Sequence, residues 1–587
     1  MQTLTRRMAG SGFRQIIMGT PLCLLLLVLL VYPVGQLLFQ SVLDENGAFS
    51  LDNYARLFHT TVYVDVLLIT LKISLWTTLF AVLAGFPVAY LISSLPRQRK
   101  GQLLFWVILS FWTSFLVRTF AWVVILGRNG PLNQLFEALG IIDAPANLLY
   151  QLGSVIIGMV HALMPLAVLT MLSVMENIDR NLPRAALTLG ARPGTAFWKI
   201  YFPLALPGVA AASIMVFVTA IGFFITPALL GGRHETMITQ LIIVQIQQTL
   251  NWGFAGAISV LLLLVVLVVF GIYDRVLGLS TMTGASASTT TTGRPGYLHR
   301  AGQALLDVLA RGSDWLLGLC PKFLRKREET DQSPVMWWFV LFVLVFLSLP
   351  AFLMIPLSFG ADSGLSWPPR GFSLQWYDQM FASPIWMNAI GRSLIVGAGT
   401  AVLSMLIGTP VAFMLVRGKV RRRGLWMAFV LSPIVVPRMI IAVGLFYFFA
   451  NVGLVGTSAG LILGHTVIAV PYVVITMMAV LRNYDTRLDM AAQSLGARPW
   501  QTLRYVTFPI LGAGMLSSCL FAFATSFDEL TIALFSSGGI SATLPKQFWD
   551  EVTLQISPVI AAVSTCLFAF IAILIWIADR MRKRSLA

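Results

Sequence analysis

The strongest constraint in this sequence is a series of apolar stretches, each long enough to cross a lipid bilayer. The hydrocarbon core of a bilayer is about 30 Å thick, and a helix that rises about 1.5 Å per residue needs about 20 apolar residues to span it. Twelve such stretches recur along the chain. Hydrophobic residues make up 57% of the chain and charged residues 11%, so polar side chains are too few to coat a soluble protein. The sequence therefore predicts an all-α integral membrane protein.

The predicted spans form two groups of six, separated by a polar segment. The first six lie near 16–39, 66–94, 102–127, 148–174, 204–230 and 251–273, and the second six near 335–358, 388–416, 424–450, 455–479, 510–537 and 556–578. The intervening segment contains the run TMTGASASTTTTG, so we predict a cytoplasmic linker there, with one surface helix near 299–323. This divides the chain into a first repeat (1–278), a linker (279–334) and a second repeat (335–587).

Charge placement predicts the orientation of the chain in the membrane. Basic residues cluster at both ends and after the second and eighth spans: Arg6, Arg7, Arg14, Arg97, Arg99, Lys100, Lys419, Arg421, Arg422, Arg423, Arg580, Arg582, Lys583 and Arg584. Acidic residues occupy the opposite loops: Asp44, Glu45, Asp52, Asp65 and Asp362. The positive-inside rule then places both termini of this multi-pass protein in the cytoplasm. Because the basic residues lie on one side of the membrane, the net charge of +16 is explained by membrane orientation, and we expect no nucleic-acid partner.

An internal repeat relates the two groups of spans. The sequence LGARP occurs at 189–193 and again at 495–499, so that Gly190 recurs 306 positions later as Gly496. Upstream, Gly85 recurs as Gly408, 323 positions later. The two spacings differ by 17 residues (323 − 306), which corresponds to an insertion in an outer loop of the first half, near 128–147. Because each group contains an even number of spans, the two copies have the same orientation. We predict two parallel six-helix repeats.

The most closely duplicated segment lies between the fourth and fifth spans of each half, on the predicted cytoplasmic side. Its pattern is A-A-x3-G-x9-[IV]-x-F-P, with the first copy at Ala185, Ala186, Gly190, Ala191 and Pro203 and the second at Ala491, Ala492, Gly496, Ala497 and Pro509. Small residues and a glycine let another surface approach the backbone, and the proline is interpreted as the end of a cytoplasmic helix. We call these segments coupling loop 1 and coupling loop 2. The alternative is an amphipathic connector kept similar by recent duplication.

This pattern resembles the EAA loop of the permeases of type I ABC importers, E-A-A-x3-G-x9-I-x-L-P. The resemblance implies that the coupling helix of each loop sits in a cleft on one of two copies of a cytoplasmic ABC ATPase. It also implies a place in the bacterial inner membrane and a periplasmic solute-binding protein. ATP and Mg²⁺ would be bound by the ATPase, with no cofactor on this chain. The chain departs from the pattern because Arg184 and Met490 replace the glutamate. Three nearby acids are candidates to replace it: Asp179, Asp485 and Asp489.

Four further strings are similar to permeases of the spermidine/putrescine-type group. They are FWTSFLVRTF at 111–120, ALLGG at 228–232, SPIVVPRMI at 432–440 and SFDELTIALF at 526–535. The resemblance favours a polyamine-like cation as the solute. The wider group also includes importers of ferric iron, thiamine, opines and aminophosphonates, so these substrates remain open.

Ionisable residues in or beside the spans are candidates for the translocation path, because a charge in a bilayer is costly. Four basic residues near span ends are interpreted as snorkelling to the membrane boundary: Lys72, Arg118, Arg392 and Arg438. Asp528 and Glu529 are too short to snorkel far, and helix length places them near the outer boundary. The first half aligns Phe223 and Phe224 with them, to within one position. An acid beside an aromatic surface suits an ammonium group, although a structural role for the acids stays open.

Two other classes of protein are alternatives. An ion-coupled secondary carrier with two parallel six-helix repeats usually has a Gly/Asp/Arg-rich turn after its second span, whereas this chain has SSLPRQRKG at 93–101. An intramembrane enzyme would need facing catalytic groups, and the neighbouring Asp528 and Glu529 point about 100° apart on a helix. The chain has no G-x4-G-K-[ST] signature, and His161 and His465 lack a second metal ligand at helical spacing. We expect a transport subunit that is not itself an enzyme.

Overall fold

The computed structural model describes residues 17–277, 304–315 and 334–584, apart from residues 45, 305 and 419. In this part of the chain the regular structure is helical, with one isolated β-bridge between Leu43 and Phe49. The N-terminal basic cluster, Glu45, Lys419 and most of the predicted linker lie outside the described residues. The described part of the linker is a helix at 306–315, within the range predicted for a surface helix.

Ten helices among the described residues are long and apolar enough to cross a membrane, and two bent pairs bring the number to twelve. In the first half they are α1 (Ile17–Gln40), α2 (Thr61–Ser94), the pair α3 (Arg97–Trp112) and α4 (Phe115–Leu126), α5 (Leu152–Met175), α7 (Pro193–Ile221) and α8 (Trp252–Leu277), with the short helix α6 (Asn181–Thr188) between α5 and α7. The helix at 306–315 is α9.

The second half repeats this order. Its helices are α10 (Pro334–Ser358), α11 (Pro384–Arg417), the pair α12 (Arg423–Val435) and α13 (Arg438–Val452), α14 (Ser458–Arg482), the short α15 (Arg487–Ser494), α16 (Pro499–Phe527) and α17 (Val559–Arg584). The prediction of an all-α membrane protein built from two six-span repeats is confirmed.

The third span of each half is broken at the same place, and the prediction of continuous helices at 102–127 and 424–450 is wrong. The helix axis turns by 92° between α3 and α4 and by 88° between α12 and α13. The two residues at each break are extended: Thr113 and Ser114 in the first half, and Val436 and Pro437 in the second. Pro437 lacks an N–H and disfavours a helical conformation at the preceding residue. In the first half, the Thr113 hydroxyl instead donates to the Leu109 carbonyl at the end of α3, over 2.7 Å.

The fifth span of each half also ends earlier than predicted. Helix α7 ends at Ile221 and α16 at Phe527, whereas the predicted spans ran to 230 and 537. A three-residue break follows each helix, and a short helix then begins, Ile225–Leu230 or Thr531–Ser536. Two more helices come before the sixth spans, Ile238–Gln247 and Leu544–Leu554. The four candidate path residues lie in these two fifth-span breaks.

Each half is built around a bundle of three helices. Helices α2, α5 and α7 pack together in the first half, as α11, α14 and α16 do in the second. Glycine allows the closest approach, since a Cβ at Gly85 would lie 3.1 Å from Val168 Cγ2, and one at Gly408 would lie 2.8 Å from Val473 Cγ1. The repeated Gly-x-Pro-Val-Ala sequence therefore marks an equivalent helix contact in both halves.

The first span of each half packs against the other half. Helix α10 lies against α2, α3 and α4 of the first half, and α1 lies against α13 of the second. At the α1–α13 contact, a Cβ on Gly444 would be 3.0 Å from the backbone of Pro33, so the two backbones touch directly. This exchange interlocks the halves, and it brings the broken third span of each half towards the fifth span of the other.

Candidate coupling loops and translocation path

Coupling loop 1 begins with α6, which ends in a left-handed glycine. Gly190 has a φ of +89°, and its N–H donates to the Leu187 carbonyl over 3.1 Å. The N–H of Ala191 donates to the Ala186 carbonyl over 3.0 Å. These two bonds form a Schellman motif, which satisfies carbonyls that the end of a helix leaves unpaired. Only glycine adopts this φ without strain, so the glycine of the repeated pattern fixes the shape of the loop.

Coupling loop 2 has the same geometry. Gly496 has a φ of +91°, its N–H donates to the Gln493 carbonyl over 3.0 Å, and the N–H of Ala497 donates to the Ala492 carbonyl over 3.0 Å. A Cβ at Gly190 or Gly496 would meet nothing within 4 Å, so the requirement for glycine comes from the backbone and not from crowding.

Each coupling loop presents an apolar tip to its surroundings. Leu189 is 88% exposed and Leu495 is 89% exposed, and both residues directly precede the left-handed glycine. Ala185 and Ala491 are exposed one turn earlier. A protruding leucine on a short helix is suited to insertion into an apolar cleft on a partner.

Pro203 and Pro509 do not end a helix, and that interpretation of the sequence is wrong. The helix that follows each loop starts at Pro193 or Pro499 and continues through the later proline into the membrane span. A wide π turn precedes each proline, at Phe197–Tyr201 and at Leu503–Thr507. The π turn gives the proline ring room that a regular α-helix lacks, so the helix is not interrupted.

Asp489 anchors coupling loop 2 to the body of the second half. Its carboxylate accepts hydrogen bonds from Arg417 Nη1 over 2.8 Å, from the Tyr484 hydroxyl over 2.6 Å and from Thr507 Oγ1 over 2.8 Å. Burial, with the neighbouring Asp489 carboxylate, raises the pKa of Tyr484 above its ordinary value. Asp489 is buried and fully engaged, so it is not available to replace the missing glutamate. Asp485 remains exposed, and so accessible to a partner.

The candidate path residue Asp528 lies in the break after α16 and contacts the break of the other half. Its Oδ2 accepts a hydrogen bond from the backbone N–H of Phe115 over 3.3 Å, and the Ser114 hydroxyl also bonds to the carboxylate. A carboxylate at the first N–H groups of α4 interacts favourably with the helix dipole. Arg118 and Arg438 both act electrostatically on Asp528, so the acid interacts with one arginine from each half.

The expectation that Arg118 and Arg438 snorkel to the membrane boundary is wrong. Arg118 is 2% exposed, its Nη1 donates to the Ala162 carbonyl over 3.2 Å, and its guanidinium lies 4.6 Å from the centre of the Phe115 ring. Arg438 is half-buried and is hydrogen-bonded to Tyr472. The turn of about 90° in each third span carries these side chains into the protein interior.

Glu529 has different neighbours from Asp528, although the two residues are adjacent. It is buried, and its carboxylate accepts hydrogen bonds from the N–H groups of Thr531 over 2.9 Å and Ile532 over 2.8 Å. His465 Nε2 lies 3.5 Å from Glu529 Oε2, and His465 Nδ1 pairs with the Ser526 hydroxyl over 2.8 Å. Glu529 therefore caps the short helix that follows it. Asp528 is half-buried and Glu529 is buried, so both side chains are engaged by protein groups.

Phe223 and Phe224 separate in the structure. The Phe223 ring packs edge to face on Phe115, with centroids 5.3 Å apart, so it reaches the same residue that Asp528 binds. Phe224 packs on Trp549 at 5.4 Å. Of the four candidate path residues, the structure brings Asp528 and Phe223 together around Phe115, while Glu529 and Phe224 lie in other contacts.

The contact between breaks has a counterpart related by the repeat. Position 528 corresponds to Gly222 in the first half, and a Cβ on Gly222 would lie 3.6 Å from Pro437 Cβ in the break of the second half. The fifth-span break of each half therefore meets the third-span break of the other. The contact of Asp528 with Phe115 carries a charge, whereas the contact of Gly222 with Pro437 is apolar and involves small groups.

Asp528 also faces a small cleft between the halves. Its lining is mostly apolar and includes five aromatic residues: Trp112, Phe523, Phe527, Phe548 and Phe570. Asp528 is the only acid among the lining residues. The described residues contain no group of three or more His, Cys, Asp or Glu side chains placed to hold a metal ion.

Comparison with known proteins identifies the family. A sequence model described as "Binding-protein-dependent transport system inner membrane component" matches residues 81–278 and again residues 404–586, well over half of the chain. The chain belongs to this family. It is the permease of an ABC importer, a multi-pass inner-membrane protein, and its two halves are fused in one polypeptide.

Individual relatives cover one half of this permease at a time. It is 36% identical over 227 residues to the spermidine/putrescine transport system permease protein PotB of Escherichia coli (strain K12), which is 39% of this chain and 82% of the relative. It is 34% identical over 225 residues to PotB of Haemophilus influenzae, covering 38% of this chain and 78% of the relative. It is 30% identical over 259 residues to the putrescine transport system permease protein PotI of E. coli (strain K12), covering 42% of this chain and 92% of the relative. The predicted resemblance to the spermidine/putrescine-type group is confirmed.

Among solved structures, the permease is similar to a chain of a bacterial alginate ABC transporter in complex with an alginate pentasaccharide-bound periplasmic protein. The TM-score is 0.40 at 17% identity, over 46% of this chain and 94% of that chain. At that score nothing further about this permease follows from the likeness.

Proposed function

We propose that this permease imports a small hydrophilic solute, with a polyamine-like cation favoured, using ATP hydrolysed by a separate ATPase subunit. The observation that carries the proposal is the pair of coupling loops, which have the same Schellman geometry at Gly190 and Gly496 in a member of this transport family. The domain division that fits this function is a first repeat (1–278), a linker (279–334) and a second repeat (335–587).

Each coupling loop is assigned to one copy of a cytoplasmic ABC ATPase. The exposed tips at Leu189 and Leu495 are of similar size and chemistry, so two copies of one ATPase can bind them in the same way. ATP and Mg²⁺ are held by those subunits, and this chain binds no cofactor. ATP binding draws the two loops together and moves one six-helix repeat against the other, since ATP favours one of the two conformations.

The orientation follows from the same assignment. The loops lie between the fourth and fifth spans of each half, so an ATPase in the cytoplasm places both termini there as well. A solute-binding protein then docks on the periplasmic side, and lipid surrounds the twelve spans.

The chemistry of the path favours a cation. Ammonium groups are attracted by carboxylates and by the faces of aromatic rings, and the cleft at Asp528 offers both. In the present conformation Arg118 and Arg438 already balance the two acids, Asp528 and Glu529. A cationic solute at Asp528 therefore competes with the arginines for that carboxylate. The names of the relatives, which refer to spermidine and putrescine, favour the same class of solute.

Transport by the purified complex tests the proposal. The permease is purified with the ATPase that accompanies it, reconstituted in liposomes, and supplied with the binding protein and a panel of polyamines, thiamine, ferric iron, opines and aminophosphonates. We expect uptake of a polyamine only when ATP is supplied on the side of the liposome membrane that carries the ATPase. Uptake by the permease alone, without ATP and under an ion gradient, would instead show a secondary carrier.

A further inference from the structure

The linker helix α9 (306–315) lies on coupling loop 1. The Asp314 Oδ1 accepts a hydrogen bond from the backbone N–H of Gly194 over 2.6 Å, and its Oδ2 accepts one from the Thr195 hydroxyl over 3.0 Å. Gly194 and Thr195 form the first turn of α7, where backbone N–H groups have no partner within the helix. Asp314 therefore caps a helix of the first repeat from the linker.

A second contact holds the other end of the linker helix. Lys199 Nζ, one turn further along α7, lies 2.5 Å from Asp307 Oδ1. The hydrogen bond from Lys199 lowers the pKa of Asp307 below its ordinary value. Ala310, between the two acids, is 2% exposed. Helix α9 thus contacts the loop along two of its turns, on one continuous face.

Gly194 is shaped to receive this helix. A Cβ at this position would lie 2.3 Å from Ser313 Oγ, 2.6 Å from Asp314 Oδ1 and 2.9 Å from the Ala310 carbonyl oxygen. A side chain at residue 194 is therefore incompatible with the docked helix. The corresponding residue of the second half is Trp500, which is 65% exposed, and Lys199 corresponds to Tyr505, which is 68% exposed.

The two coupling loops are consequently held by different means. In the second half, the turn at 498–501 is capped from within the loop, since Gln501 Oε1 accepts from the Arg498 N–H over 2.8 Å, and Asp489 ties the loop to Arg417. At the positions of Asp489 and Arg417 the first half has Pro183 and Ser94, which cannot form that ion pair. In the first half, the carboxylates that hold the start of α7 are Asp314 and Asp307 of the linker helix.

We propose that the linker helix is a positioning element for coupling loop 1. Through Asp314 and Asp307 it fixes α7 behind the loop, as Asp489 and Arg417 fix the loop of the second half, so that both loops pass ATPase movement to the spans. The family match covers 81–278 and 404–586, so α9 lies outside the part of the chain shared with the family. This inference rests on the proposed function of the coupling loops.

Hydrogen–deuterium exchange of the full-length permease tests the docking. Asp314→Ala removes both hydrogen bonds, and Gly194→Trp places the side chain of the second half where α9 lies. We expect amide exchange across 193–201 to rise about tenfold in Asp314→Ala, because two charge-assisted bonds are lost. Val308→Ala shortens a side chain that is 62% exposed on the same helix, and should leave exchange unchanged. Equal exchange in Asp314→Ala and in the unmodified chain would overturn the inference.

Coupling is then measured on the reconstituted complex, as solute imported per ATP hydrolysed. Release of α9 should lower this ratio about threefold or more, with ATP hydrolysis retained, whereas Val308→Ala should keep the normal ratio. A variant whose exchange shows release but whose ratio is normal would overturn the inference and leave the proposed function standing. Absence of ATP-driven import by the unmodified chain would overturn the proposed function, and the inference with it.

Discussion

The carboxylate of Asp528, in the second half of the permease, accepts a hydrogen bond from the backbone N–H of Phe115 in the first half, over 3.3 Å. This bond joins the break of a fifth span to the break of a third span across the interface between the halves. Any rocking of one repeat against the other must change it. Charge and helix capping coincide at this one residue, and substitutions can separate them.

Replacing Asp528 with Asn should weaken transport of a cationic solute while preserving the fold. The amide oxygen of Asn still accepts from the Phe115 N–H, but the negative charge is lost. We expect the concentration for half-maximal uptake to rise about tenfold, which corresponds to about 1.4 kcal/mol. Asp528→Leu removes both properties, and should also lower the yield of folded protein. An unchanged half-maximal concentration in Asp528→Asn would exclude a ligand role for the charge.

Arg118 and Asp528 should be energetically coupled. Arg118→Met removes a positive charge that stabilises the Asp528 carboxylate, and Asp528→Asn removes a negative charge that stabilises the buried Arg118. Each single variant should therefore lower the melting temperature of the purified permease. In the double variant neither charge is left, and the combined loss should be smaller than the sum by about 1 kcal/mol or more. Melting curves of the four proteins in detergent measure this, and additive losses would show that the two residues do not interact.

Substitution of Gly190 and Gly496 should disrupt ATPase binding through the backbone. Val at a φ near +90° costs about 1–3 kcal/mol, whereas Asn tolerates the left-handed region better. We expect the Gly190→Val, Gly496→Val double variant to recover much less ATPase on copurification, with the Asn pair intermediate. Both pairs add side chains to open space, so crowding cannot explain a difference between them. Full ATPase recovery with the Val pair would contradict the role of the Schellman geometry.

Asp489 and Asp485 form a matched pair of acids in coupling loop 2. Asp489→Asn weakens the charge-assisted bond from Arg417 to the buried residue 489, and should destabilise the loop by about 2 kcal/mol and reduce ATPase recovery. Asp485 is exposed, so Asp485→Asn should change stability by less than about 0.5 kcal/mol. If Asp485→Asn alone reduced ATPase recovery at unchanged stability, the contact made by the usual glutamate would be assigned to Asp485.

The number of spans and the two coupling loops could be predicted from the sequence, because both are local patterns. Apolar length identifies each span, and the recurrence of LGARP marks the loops on its own. The breaks in the third spans could not be found in this way, since apolar residues lie on both sides of Thr113 and Val436. One signal was available: Pro437 and Ser114 are equivalent positions, and proline at one of them favours a break at both.

The positions of Arg118 and Asp314 depend on tertiary structure, and no local pattern indicates them. A hydropathy profile places Arg118 near the end of a straight helix, but a turn of 92° directs it inward. Asp314 reads as a surface acid in a polar linker, and its role appears only when Gly194 lies beside it. Gly194 at the position of Trp500 was the one difference between the repeats that pointed to this contact.

The most direct test of the central claim is the composition and energy source of the active complex. The account predicts that native mass spectrometry finds two ATPase subunits bound per permease chain, and that solute uptake in liposomes stops when ATP is withheld. A permease that purifies with no ATPase, and transports under an ion gradient without ATP, would contradict it.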